Sequence, residues 1–272
     1  SNGKKVGEKP VDKQFKKTTW QVTYPINNYN IIFYLGHFAH FSDKYKDLTL
    51  NYYPLDYNLP KAKEQFRQVK PMMQCFEEKF GFYPFKEDSY KLVESPYLGM
   101  EHQSAVAYGN NYRNGYRGVD LSGTGIGLEF DFIIVHESAH EWFGNAISAQ
   151  DIADLWIHEA FATYAEAVYV ECEFSKKKAV DYLNGIRKRI KNNKPIIGKY
   201  GVNNEGSSDM YYKGANFVHT LRTILNDDDK WWDLLKSFVS TYQYQTIKTD
   251  DVLAHFQSYY NIDLQPVFDQ YL

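Results

Sequence analysis

The rhythm of apolar positions changes near residue 128. Before it, short runs rich in β-branched and aromatic residues read as strands: "TTWQVTYP" (18–25), "YNIIFYLGHFAHF" (29–41), the alternating "DLTLNYY" (47–53), "YKLVES" (90–95) and "SAVAYG" (104–109). One helix interrupts them. Pro60 opens a pattern in which Ala62, Phe66, Val69, Met73, Phe76 and Phe80 recur by threes and fours, closed by Gly81 and Pro84. Pro71 lies inside that pattern and predicts a kink or break. After residue 128 the helical period takes over, with helices expected near 129–145, 154–173, 175–192, 213–226, 230–242, 249–260 and 263–271. Asp154 is placed to cap the second of these, and Thr249 followed by Asp250 and Asp251 marks another start.

The expected fold class is α+β, a β-containing lobe over 26–128 followed by a mainly helical lobe over 129–272. Residues 1–25 read as a tail or the end of a preceding β domain, because "TTWQVTYP" looks like a strand already in progress. The chain is therefore expected to be an excised piece of a longer protein, and it carries no readable targeting signal or compartment. The loop 109–127 contains "GTGIG" (123–127), but no lysine follows it and no strand-turn-helix frames it. A connector is expected there, not a phosphate cradle.

Composition changes this picture little. Hydrophobic residues make up 43% and charged residues 24% of the 272, as in ordinary globular proteins. The 24 Tyr and 18 Phe bring the aromatic share to 17%, which fits either a peptide- or glycan-binding surface or, more commonly, a Tyr-rich core. A net charge of −3 leaves no basic footprint for nucleic acid. The lysine-rich "KKVGEKPVDKQFKK" (4–17) and "SKKKAV" (175–180) read as a solvated tail and a helix surface. No apolar run approaches the roughly 20 residues that span a bilayer. Cys75 and Cys172 are the only cysteines; one bridge between them stays open, and a disulfide framework is excluded.

The chemistry concentrates in "IIVHESAHEWFGN" (133–145). On a helix, His136 and His140 share a face, and two imidazoles so placed can reach one Zn²⁺. Glu137 points to another side, where it can act as a general base toward water. A catalytic zinc needs a third protein ligand. Glu159, nineteen positions after His140 on the next helix, is the candidate: Trp156, Ile157, Phe161 and Tyr164 around it predict burial, and a buried carboxylate needs a partner. Glu166, two turns further along the same face, is the candidate acceptor for a ligand histidine's other ring N–H. His158 points elsewhere and reads as structural.

HExxH followed after eighteen residues by Glu, with "WFGN" behind the second histidine, resembles the gluzincin aminopeptidases of the aminopeptidase N and leukotriene-A hydrolase type. "LGMEH" (98–102) resembles the family's GxMEN exopeptidase motif, and "YYKGA" (211–215) its YxKG segment. The resemblance runs over about residues 29–271 and implies a thermolysin-like zincin catalytic domain with one zinc per chain, held by His136, His140 and Glu159. It implies that Glu101, with Gly99 and Met100 beside it, holds the substrate's free ammonium group, and that Tyr211 stabilises the tetrahedral oxyanion. Leu98 stands where the family has Gly, and His102 where it has Asn. The family also carries a β-rich domain before this one, which supplies another amine-binding side chain.

The expected activity is zinc-dependent removal of N-terminal residues from peptides with a free N-terminus, with Glu137 as base. The strand Ser104–Gly109 is a candidate for pairing with the substrate backbone. The rival reading is a non-catalytic, zinc-stabilised peptide- or glycan-binding module, in which Glu137 and Tyr211 would have no use.

Overall fold

In the computed structural model, which describes all 272 residues, the lysine-rich start folds back on itself. β1 (Lys4–Pro10) pairs antiparallel with β2 (Lys16–Gln21), and Asp12 Oδ1 holds the turn by accepting from the Gln14 and Phe15 N–H groups. The expected tail is thus an ordered ribbon, although its side chains are solvated as anticipated. The run 29–41 departs further from expectation. It forms a 3₁₀ turn at Asn28–Asn30 and an isolated bridge between Phe38 and Leu55, but no strand. Ile31, Phe33 and Leu35 face solvent at 64%, 79% and 94% exposure. Strand propensity needs a partner to become a strand, and this segment finds one only at the single bridge to Leu55.

A five-stranded sheet follows. β3 (Phe41–Tyr45) and β4 (Leu48–Tyr53) form a hairpin, and the chain then crosses through α1 (Leu59–Gln65), a 3₁₀ turn and α2 (Val69–Phe80). It returns as β5 (Tyr90–Glu94), parallel to β4, and continues through β6 (Gly99–Met100) and β7 (Val106–Tyr108). Pro71 sits in the first turn of α2, where its missing N–H leaves no helical bond unmade, so the break expected from it falls just upstream. The spatial order is β3-β4-β5-β7-β6. Both sides of β7 are taken, by β5 and β6. Substrate pairing along Ser104–Gly109 is therefore excluded, and the edges of the sheet are β3 and β6, of which β6 is the one beside the site.

The helical part comprises α3 (Phe132–Ala139), α4 (Trp156–Glu173), α5 (Lys176–Arg187), α6 (Asp209–Leu225), α7 (Asp228–Tyr242), α8 (Thr249–Gln257) and α9 (Gln265–Tyr271). A short parallel pair, β8 (Ile147–Ala149) and β9 (Gln245–Ile247), joins the α3–α4 connection to the α7–α8 connection. α3 is shorter than the expected 129–145. Asp131 caps it by accepting from the Ile133 and Ile134 N–H groups, and a turn at Gly144 stops it soon after His140. Asp154 does not cap α4; its carboxylate accepts instead from Tyr200 and Thr249 hydroxyls.

α4 is the central helix, buried at every position from Trp156 to Val170. Gly214 lets α6 lie close against it: a Cβ there would sit 2.6 Å from that of Ala160. A disulfide between Cys75 and Cys172 joins α2 to α4. Trp142, Trp156 and Trp231 are fully buried, and the apolar side chains of sheet and helices form one continuous core. Much of the aromatic excess therefore serves packing. No helix is long and apolar enough to cross a membrane.

Candidate active site

The first requirement for a metal centre is a set of lone pairs aimed at one point. His136 lies on α3, and His140 is the next residue after its last full turn, still helical at φ −62° and ψ −17°. The i, i+4 relation survives, and the two Nε2 atoms stand 3.3 Å apart. Their other nitrogens are engaged. His136 Nδ1 lies 2.8 Å from Glu166 Oε1, and His140 Nδ1 lies 2.9 Å from the Phe143 carbonyl oxygen. A carbonyl only accepts, so His140 carries its proton on Nδ1 and its Nε2 lone pair is left free in the neutral ring. The carboxylate of Glu166 favours the same tautomer in His136.

α4 brings Glu159 to the same point. Its Oε2 is 3.3 Å from His136 Nε2 and 3.4 Å from His140 Nε2, is buried, and has no hydrogen-bond partner. The three ligand atoms all lie within 4.8 Å of one another. Two imidazole lone pairs and a buried carboxylate oxygen that converge on one point suit a cation, and two imidazoles with one carboxylate are a donor set that Zn²⁺ accepts. The residues fit the metal.

Electrostatics point the same way. Burial opposes charge on both imidazoles, yet Glu159 and Glu166 hold His136 well above the usual histidine range, and Glu159 brings His140 up to about 9. Burial likewise opposes charge on Glu159, but His140 and His136 hold its carboxyl well below the usual range. The proton these groups share is what a dication displaces. Burial pushes Glu137 up to about 7 against the pull of both histidines.

The remaining candidates line one cavity of about 360 Å³. Glu137 shares it with Gly99, and a Cβ at Gly99 would collide with the Glu137 carboxylate. The glycine therefore lets the edge strand β6 approach the acid. Met100 completes β6, and Glu101 follows it, buried; Glu101, Glu137 and His140 can each offer an atom within 4.8 Å of the others. Tyr211, in the first turn of α6, stacks near His136 with ring centroids 6.2 Å apart, and Tyr212 lines the same cavity. Burial and then Glu159 and Glu137 push the Tyr211 phenol well above its usual range, so it remains an O–H donor.

Glu166 accepts from Tyr182 as well as from His136, at 2.6 Å. His158 accepts the Ala149 N–H through Nε2 at 2.8 Å and is pushed down to about 4 by burial. It is a neutral acceptor for backbone, the structural role expected of it.

Several participants had not been identified from the sequence. Asn145 donates to the Glu101 carbonyl and to Glu141 Oε1, tying the loop after β6 to the end of α3. Glu141 in turn accepts the Ser104 N–H, at 2.9 Å to Oε1, and the Tyr83 hydroxyl. Tyr182 and Tyr29 also reach the site. "WFGN" was the available signal for Asn145; its Gly144 adopts φ +130°, and the turn it makes delivers the Phe143 carbonyl to His140.

A helix bearing two histidines, a carboxylate from the neighbouring helix and a mixed sheet whose edge strand flanks them define a metallopeptidase-type domain. The chain belongs to peptidase family M1: the model of the peptidase family M1 domain matches residues 64–271. It is 26% identical to human aminopeptidase B over 163 residues, covering 50% of this chain and 24% of that protein. It is 23% identical to bovine glutamyl aminopeptidase over 278 residues, covering 96% of this chain and 29% of that protein. The chain thus spans roughly a quarter of the length of these curated relatives. The M1 zinc metallopeptidase of Deinococcus radiodurans shares the fold, with a TM-score of 0.76 and 18% identity over 99% of this chain and 59% of that one.

Proposed function

We propose that this chain is the catalytic part of a zinc aminopeptidase that hydrolyses the first peptide bond of peptides with a free N-terminus. The observation that carries the reading is the convergence of His136 Nε2, His140 Nε2 and Glu159 Oε2 beside a second buried carboxylate, Glu101. His136, His140 and Glu159 would hold one zinc, which when bound supplies a Lewis acid that polarises a carbonyl and acidifies water.

Glu101 binds the substrate's ammonium by a charge-assisted bond. The carbonyl carbon of the first residue is two covalent bonds from that nitrogen, about 2.5 Å away. An amine held at Glu101 therefore brings the first peptide bond, and no later one, to Glu137 and the two histidines. Glu137 takes a proton from water and returns it to the leaving amine. Tyr211 donates its hydroxyl to the oxygen that develops negative charge. Glu166, braced by Tyr182, keeps His136 in the tautomer that leaves Nε2 free.

The reading is tested by incubating the zinc-loaded chain with a pentapeptide and with its N-acetylated form, following products by mass spectrometry. Stepwise loss of single residues from the free peptide alone is expected. Internal cleavage, or equal cleavage of the acetylated peptide, contradicts it.

A further inference from the structure

Glu101 is not alone at its end of the cavity. The hydroxyl of Tyr29 donates to Glu101 Oε1 at 3.1 Å, across 72 positions of sequence. Tyr29 belongs to the segment expected to be a strand and found instead as a 3₁₀ turn, which three hydrogen bonds hold in place and a fourth ties to Glu101. Asn2 donates to the Asn30 carbonyl and accepts from the Ile32 N–H; Asn30 donates to Asn145 Oδ1; and Asn145 donates to the Glu101 carbonyl. One asparagine thus links the backbone of Glu101 to the turn that presents Tyr29. The ring is 40% exposed, while its hydroxyl end reaches a buried carboxylate. Tyr29 and Glu101 face a cavity of about 520 Å³ that also reaches His158 and Glu159.

An ammonium group has three donors, and leaving water for a cleft needs more than one acceptor. Glu101 used by itself would offer its two oxygens and be free to rotate. With one oxygen engaged by Tyr29, the carboxylate is fixed and the other oxygen remains for the substrate. The phenol oxygen, having donated its proton, still has lone pairs to accept with.

We propose that Tyr29 is a substrate-positioning residue for the terminal amine: it fixes the Glu101 carboxylate and offers the ammonium a second acceptor. This rests on the aminopeptidase reading above. Burial and the neighbouring Glu101 hold the Tyr29 phenol well above its usual range, so the proton it donates stays in place.

The test compares the zinc-loaded wild-type chain with Tyr29→Phe, which removes only the hydroxyl. Leucine 4-nitroanilide serves as substrate, and L-leucine and its des-amino analogue 4-methylpentanoate serve as inhibitors. In the variant, KM and the L-leucine inhibition constant should both rise roughly tenfold, with kcat nearly unchanged, because the lost bonds act on the amine in ground and transition states alike. Inhibition by 4-methylpentanoate should not change. The proposal is overturned if KM and both inhibition constants stay at wild-type values. It is overturned equally if the des-amino analogue weakens as much as L-leucine, since that reports a collapsed pocket. A wild-type chain that fails to hydrolyse the anilide overturns the aminopeptidase reading and this inference with it.

Discussion

Replacing Gly214 by alanine (Gly214→Ala) would place the new methyl carbon 2.6 Å from Cβ of Ala160, where the axes of α4 and α6 approach. Non-bonded carbons rest about 3.5–4.0 Å apart, so one helix must move by roughly 1 Å. The atom in the way is a methyl on the most buried helix of the protein, with no rotamer to change, so the shift falls on backbone. Overpacking of this kind costs about 1–3 kcal/mol of stability. Tyr211 stands three residues before Gly214 on α6 and moves with it, while His136, His140 and Glu159 stay with α3 and α4. A displacement of about 1 Å in a transition-state contact lowers rate by on the order of 10²-fold. Urea unfolding gives the first number and kcat for an aminoacyl anilide the second. Gly7→Ala, on the exposed strand β1 where the nearest atom is 3.9 Å away, is the control. Wild-type stability and kcat in Gly214→Ala would refute the idea that helix spacing sets the position of Tyr211.

Other outcomes follow from the same geometry. Tyr211→Phe should lower kcat by roughly 10²–10³ with little change in KM, since its hydroxyl acts on charge that develops only in the transition state; an unchanged kcat would move that role, with Tyr212 the first suspect. Glu166→Ala should weaken zinc affinity by roughly 10–100-fold, measured by competition with a chelating dye, because His136 loses the acceptor that fixes its ring; undiminished affinity would make Glu166 a packing residue. Breaking the Cys75–Cys172 bridge with Cys75→Ser and Cys172→Ser together should lower unfolding stability by about 2–5 kcal/mol, as it releases a loop closed over a separation of 97 residues. Identical denaturation midpoints with and without the bridge would contradict that.

What could be read in advance follows the range of the interaction. His136, His140, Glu159 and Glu166 were legible because helical spacing sorts residues onto faces within a few positions, and a carboxylate among aromatics calls for a partner. The break near Pro71 and the helix start at Thr249 were legible for the same local reason. Residues 29–41 were not: their β-forming side chains predict a strand, but a strand also needs a neighbour, which no local pattern supplies. In the ribbon, β2 meets the strand expected over 18–25, while β1 was missed because its charged surface looked like a tail. Gly99 falls inside a motif, yet its reason, room for the Glu137 carboxylate, exists only once β6 lies against α3. Tyr29, Asn145 and Tyr182 meet their partners across 72, 44 and 16 positions, and polar contacts of that reach leave no periodic trace.

The most direct test of the central claim is the zinc stoichiometry of three purified chains by atomic spectroscopy, after loading and exhaustive dialysis. Wild type and Glu137→Gln should each retain one zinc per chain, while Glu159→Gln should retain roughly none, since it exchanges the anionic ligand for a neutral amide. Zinc retained at the wild-type level in Glu159→Gln, or lost from Glu137→Gln, would contradict the division between the residues that hold the metal and the residue that moves the proton.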